Sequence, residues 1–238
     1  MDFQPGTVKP EAEYEELTAL STELGIPTIH CHYNYTITSP EGEVVQQGED
    51  RSRTYNRNWW NLFVKYALGT KDTVGSTFGA GHIRLKDTGG TVQNQGAYQD
   101  GTWYSMDVTV GTTAGIWFGT GTTAEDFEGY ALATPIANGT AAGELSYTAF
   151  DEIRDGGGFS PNYTYNAPNK TFHKTIGRRA VNSSGGSITI NEVALYLRHF
   201  STASLIHVMP WRDKLASGIA VANGNSIQFN YILSMKMP

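Results

Sequence analysis

Apolar and polar residues alternate most strictly in Ile29–Thr38, where Ile29, Cys31, Tyr33, Tyr35 and Ile37 share one phase and His30, His32, Asn34, Thr36 and Thr38 the other. A period of two marks a strand with one buried and one wet face. Ser39–Glu43 reads as a turn and Val44–Gln47 as the returning strand. Further strands are predicted at His82–Lys86, closed by the turn Asp87–Gly90, and at Trp103–Val110, Leu145–Phe150, Leu205–Met209 and Gly218–Ala222. In Ile227–Met237, Ile227, Phe229, Tyr231, Leu233, Met235 and Met237 fall on one face. His173–Asn182 and Ser187–Leu197 read as a hairpin across Ser183–Gly186. In its second strand the apolar phase switches from Ile188 and Ile190 to Val193, Leu195 and Leu197, which predicts a β-bulge near Asn191–Glu192.

Two segments have helical spacing instead. Glu11–Leu24 places Tyr14, Leu17, Leu20 and Leu24 near one face, with acids in the first turn and Gly25 as the stop. Asn56–Leu68 groups Trp59, Leu62, Phe63 and Tyr66, stopped by Gly69. Gly111–Gly143 reads as a long loop with one helical turn at Ala124–Gly129, and Asp151–Lys170 as a second long connection. The expectation is an all-β fold of eight to ten strands, a β-sandwich of jelly-roll type, with one short N-terminal helix and one internal amphipathic helix. Residues 1–26 form an arm and helix, and 27–238 one domain.

Composition sharpens this picture. Glycine makes up 27 of 238 residues and charged residues only 17%, which fits many tight turns and a surface of uncharged polar side chains. The net charge of −6 and the lack of a Lys/Arg cluster argue against a nucleic-acid partner. No apolar stretch approaches a membrane span, and the N-terminus has no signal-peptide core. The single cysteine, Cys31, excludes a disulfide framework. N-x-S/T sequences begin at Asn34, Asn138, Asn162, Asn169 and Asn182 and read as by-products of an Asn- and Thr-rich chain.

The candidate chemistry is thin. His30 and His32 share a strand face and could hold a metal only with a third ligand from another strand; Cys31 points the other way. Gly119–Ala124 (GTGTTA) matches G-x-G-x-x-A, yet the preceding run Ile116–Phe118 is too short for the required buried strand, and Glu125 and Asp126 stand where a pyrophosphate would sit. The pairs Glu49/Asp50, Glu125/Asp126 and Asp151/Glu152 could supply two carboxylates for glycoside hydrolysis only if folding set them face to face. No nucleophile motif is present, and no enzyme, metal or cofactor is expected. Tyr163 and Tyr165, in the Pro- and Asn-rich connection, are candidate exposed rings for a subunit or a sugar. The arm residues Phe3, Pro5 and Val8 join them as candidate subunit contacts.

Several segments in order carry a resemblance: Ser52–Phe63 (SRTYNRNWWNLF), Gly119–Pro135 (GTGTTAEDFEGYALATP), Glu144–Tyr147 (ELSY), Arg179–Leu197 (RAVNSSGGSITINEVALYL), Arg212–Val221 (RDKLASGIAV) and Asn223–Leu233 (NGNSIQFNYIL). Over roughly residues 50–235 the chain resembles a widespread group of uncharacterised tailed-bacteriophage virion structural proteins. Ala194 stands where that pattern has glycine. The resemblance implies an all-β virion component, made in the host bacterial cytoplasm, with no catalytic residues to carry over. A capsid decoration (cement) protein bound to the major capsid protein is the leading expectation, with a homo-trimer preferred. A tail or baseplate part bound to tail proteins, and a carbohydrate-binding module for host recognition, are the alternatives.

Overall fold

The structure is a computed structural model that describes residues 11–52, 55–68, 85–93, 114–148, 163–200 and 205–237. Helix α1 spans Glu11–Glu23 and is followed by β1 (Thr28–Thr38), β2 (Val44–Arg51) and α2 (Arg57–Leu68). Then come β3 (Leu85–Lys86), β4 (Val92–Gln93), β5 (Gly115–Gly119), β6 (Ser146–Tyr147) and β7 (Tyr163–Asn166). The chain ends with β8 (Thr171–Val181), β9 (Ile188–Phe200), β10 (Leu205–Val221) and β11 (Ser226–Lys236).

Two antiparallel sheets pack face to face as an all-β sandwich. The larger has the order β2-β1-β11-β8-β6, with β7 also on β8; the smaller is β10-β9-β5. A two-strand ribbon, β3-β4, lies outside both. The alternation in β1 fixes its register: Cys31, Tyr33 and Ile37 pair with Leu233, Tyr231 and Ile227 on the inner face. Across the sandwich Phe118 meets Phe229 edge-on at 5.8 Å and Trp211 meets Tyr231 at 5.7 Å. Such edge contacts fill an intersheet space without a void. With three strands described in the smaller sheet, the eight-strand order of a jelly roll is not traced.

Several sequence expectations are corrected. β8 and β9 are not a hairpin: β8 pairs with β11, β6 and β7, while β9 pairs with β10 and β5. The turn between them crosses from one sheet to the other, and the turn from β10 to β11 crosses back. Both strands of a sandwich arch alternate in the same way as those of a hairpin, so periodicity cannot separate the two. Within the expected 111–143 loop, Gly115–Gly119 forms β5, buried at both faces because the smaller sheet is itself covered. Its continuous apolar run lacks alternation for that reason. The expected helical turn is a plain turn closed by Gly129 N to Asp126 O. Tyr163 and Tyr165 lie on a strand rather than in a loop.

Leu205–Met209 and Gly218–Ala222 are the two ends of one strand, β10, whose register breaks between Val208 and Trp211 and again between Lys214 and Ile219. The second break faces Asn191, where the phase switch of β9 predicts an irregularity, with the extra residues on β10. α1 runs as expected, but Leu17, Leu20 and Leu24 stay exposed. In α2 Leu62 is buried and Trp59 packs on Trp211. The arm (1–10) and the predicted strand Trp103–Val110 lie outside the described residues.

Candidate functional site

The segments carrying the resemblance meet in space. Residues 119–136 form a strap across the outer face of the smaller sheet, over Ala194, Tyr196 and Met209. Glu192, fully buried in β9, holds it: its carboxylate accepts from Gly121 N (3.1 Å), Ala133 N (3.1 Å) and Thr134 N (2.8 Å). Arg212 on β10 neutralises that charge, Nε to Oε2 2.6 Å. Its terminal nitrogens donate to Ala124 O, Thr123 O and Thr123 Oγ1. Every polar atom of this buried pair thus has a role, as such a pair requires.

Gly119 and Gly121 are glycines for a steric reason. A Cβ at either would collide with the Glu192 carboxylate, and at Gly119 also with Thr134 O at 2.8 Å. In the nucleotide-like GTGTTA loop the Gly121 N–H therefore serves an internal carboxylate, and the Thr120 N–H a carbonyl of the same strap, Thr134 O.

A second knot joins the two crossing turns. Asn182, fully buried, donates to Gly186 O and Val221 O (both 2.7 Å) and accepts from Ser184 N and Ser184 Oγ. Gly224 N donates to Asn182 O, and Gly185 N to Asn223 Oδ1. Asn182 is thereby removed from any glycan acceptor role in the folded chain.

The third knot lies at the start of α2. Asn56 Oδ1 caps the helix by accepting from Trp59 N (3.3 Å), while Nδ2 donates to Gly129 O and Met209 O. Asn58 donates to Lys86 O and Met209 O and accepts from Lys86 N. The first irregularity of β10 is thus stitched to the strap and to β3.

Clefts bring some of these residues together. One, about 240 Å³, is lined by Tyr33, Asp50, Arg51, Glu125, Asp213, Lys214, Leu215 and Ala216. It brings Asp50 and Glu125, from two of the acidic pairs, beside Asp213, which accepts from Tyr231 OH at 2.9 Å. Glu125 accepts from Lys214 N at 2.9 Å. Another, about 390 Å³, lies between α2, β3 and the strap, with Arg57, Asn61, Lys86 and Glu128 in its wall. An exposed ion pair, Arg57 to Glu128 at 3.0 Å, closes one side.

The wet face of the larger sheet carries His30, His32 and, on β8, His173, which bonds Ser234 at 2.8 Å. No group of three His, Cys, Asp or Glu side chains converges for a metal among the described residues. Burial lowers the pKa of His30, with help from Arg51 and Lys236. Burial likewise lowers that of His32, against Glu49 and with His173. Burial and the nearby Asp213 hold the Cys31 thiol well above its usual range, so it is inert as a nucleophile.

The inner face of the larger sheet runs out from under the smaller one. Along β11 burial falls from Tyr231, fully enclosed, through Leu233 to Met235, 39% exposed. At that end the registers put Tyr165, Phe172, Met235 and Ile29 in one row across four strands. Tyr165, 55% exposed, and Phe172, 40% exposed, lie with ring centroids 4.6 Å apart. Of the candidate contact residues, Tyr165 is here; the side chain of Tyr163 and all of Phe3, Pro5 and Val8 lie outside the described residues. Sequence reasoning missed Phe172, although Met235 belongs to the one-face series of β11.

Comparison with protein-family models, with curated proteins and with solved structures finds no match to this chain. Among the described residues no helix is long and apolar enough to cross a membrane.

Proposed function

We propose that this chain is a structural component of a tailed-phage virion that works by protein–protein contact, in the role of a capsid decoration protein. One observation carries this reading: the separate segments that resemble virion proteins meet in three polar knots. The strap closes on Glu192 and Arg212, the crossing turns on Asn182, and the start of α2 on Met209 O. Segments that build the framework rather than a cleft suit a protein whose task is to be a rigid block. The exposed row of Tyr165, Phe172 and Met235 supplies apolar area for a neighbouring copy or a capsid protein.

Mass spectrometry of purified particles tests the reading, together with immunogold labelling. The expected result is the chain in intact particles at a fixed ratio to the major capsid protein, with label on the head. Absence from purified particles would overturn it, and label on the tail would overturn the decoration role.

A further inference from the structure

Most of the exposed large apolar side chains among the described residues gather at one end of the molecule, in two groups. The first lies on α1 and its exit: Leu17, Leu20, Leu24 and Ile26. At 3.6 residues per turn the three leucines fall within about 60° of one another around the helix. They form one stripe, with Glu16 and Glu23 along its flank. α1 rests on β1, yet the stripe is not what it covers: Thr18 and Ser21 are the half-buried positions. Its C-terminus is closed by a Schellman cap, with Ile26 N donating to Ser21 O at 2.8 Å and Gly25 N to Thr22 O at 3.2 Å. Gly25 takes a φ of 68° there, and Pro27 follows. Cap and proline set the direction of the helix and leave the leucine stripe turned to solvent.

The second group is the sheet end: Tyr165, Phe172 and Met235, extended by Met237. Met237 N donates to Lys170 O at 3.0 Å, which holds the last residues against the turn between β7 and β8. Thr28 pairs with Lys236, so the exit of α1 lies at this same end. Charge divides the two groups. α1 contains Glu11, Glu13, Glu15, Glu16 and Glu23 and no Lys or Arg. β7, β8, the turn between them and β11 contain no Asp or Glu, although the whole chain has a net charge of −6. Lys170 and Lys236 are exposed there, and Lys174 is half-buried beside Phe172. An acidic leucine stripe and a lysine-bordered apolar row complement each other in polarity and in charge. Anchors at i, i+3 and i+7 are the usual reading pattern of a helix docked by its apolar face. Every copy carries both surfaces, so stripe on row is a contact that repeats and can close into a ring.

We propose that α1 of one copy docks by Leu17, Leu20 and Leu24 on the Tyr165–Phe172–Met235 row of a second copy, with Glu16 and Glu23 set toward Lys170 and Lys236. This rests on the contact role proposed above and names the element that fills the row.

Crosslinking between two differently tagged full-length proteins tests this, because the native Cys31 is buried and does not compete. Leu20→Cys in one and Met235→Cys in the other, mixed and treated with a short bismaleimide, should give a covalent heterodimer. Leu20→Cys mixed with Val44→Cys, at the opposite end of the sheet, should not. Equal yields from the two mixtures overturn the proposal, and so does a crosslink that forms only within a chain carrying both Leu20→Cys and Met235→Cys. Sedimentation velocity separates that failure from failure of the contact role. A wild type that associates without the crosslink loses the α1 assignment alone, whereas one that stays monomeric at every concentration loses contact between copies as well. Leu17→Asp with Leu20→Asp, both at exposed positions, should fold like the wild type and weaken association about tenfold or more. Glu16→Lys with Glu23→Lys should weaken it too, and Lys170→Glu with Lys236→Glu on the other copy should restore it.

Discussion

Glu192 sits in a strand whose neighbours Val193, Ala194 and Leu195 are fully buried, a place where an unpaired carboxylate would be intolerable. It is tolerated because Arg212 and three strap N–H groups surround it. Removing one member should therefore cost far more than removing both. Glu192→Leu alone is expected to destabilise by about 3–5 kcal/mol, leaving a buried guanidinium behind, whereas Glu192→Leu with Arg212→Met should recover much of that. The single variant should lower Tm by roughly 6–20 °C. Thermal denaturation of the four-member cycle measures this; additive losses would show that the pair is not coupled.

The histidines lead to a second prediction at the same scale. His30 and His32 both have pKa values held below the ordinary 6.5, chiefly by burial, so the folded chain resists protonating them. Their contribution is fully present above the unfolded-state value and is lost as pH falls through the depressed folded values. Tm should therefore decline as pH drops from 7 towards 5, and the decline should shrink in His30→Gln with His32→Gln. Arg51, Lys236, Glu49 and His173 face these imidazoles and are left unchanged in that variant. An identical pH profile in the variant would refute the assignment.

At the scale of elements, the two crossing turns depend on one another. Asn182→Ala removes the partners of Gly186 O, Val221 O and Ser184 N together, and an unsatisfied buried group costs about 1–3 kcal/mol. A loss of about 2–4 kcal/mol is expected, seen as a lower urea midpoint with unchanged slope. Asn182→Asp keeps the acceptor for Ser184 but sets a buried carboxylate oxygen against Gly186 O and Val221 O, and should cost at least as much. If Asn182→Ala unfolds at the wild-type midpoint, the clasp is not needed.

These elements also show what could be read from the chain alone. β1, β8, β9 and β11 were legible from their alternation and β2 from the turn Ser39–Glu43 that precedes it, and the break in β9 was legible as a phase switch. Their pairing was not. The Ser- and Gly-rich turn after Asn182 has the composition of a hairpin, and only the buried bonds of Asn182 across to Val221 O reveal a crossing between sheets. β5 and the strap were read as loop because their apolar residues are covered on both sides and show no period. Glu192 and Arg212 carried a faint signal, a charge inside an apolar strand, but nothing local says what the charge meets.

For the molecule as a whole, the two sheets differ in reach, and that difference creates the surface on which the contact role rests. Period two assigns Phe172 and Met235 to the inner face but says nothing of where the opposing sheet stops. The row Tyr165–Phe172–Met235 lies past that point and is partly solvent-exposed, so substitutions there should leave folding nearly intact. If the row is the contact between copies, Tyr165→Ser with Phe172→Glu should change Tm by only a few degrees while turning a concentration-dependent oligomer, a trimer on the present reading, into a monomer. Met235→Glu, one strand away and in register with Phe172, should weaken the same association on its own. Sedimentation velocity over a range of concentrations reads both. Variants that fold and still assemble like the wild type would move the contact off this sheet end, to the exposed leucines of α1 or to β2, the end strand of the sheet among the described residues, where Val44 and Val45 are exposed.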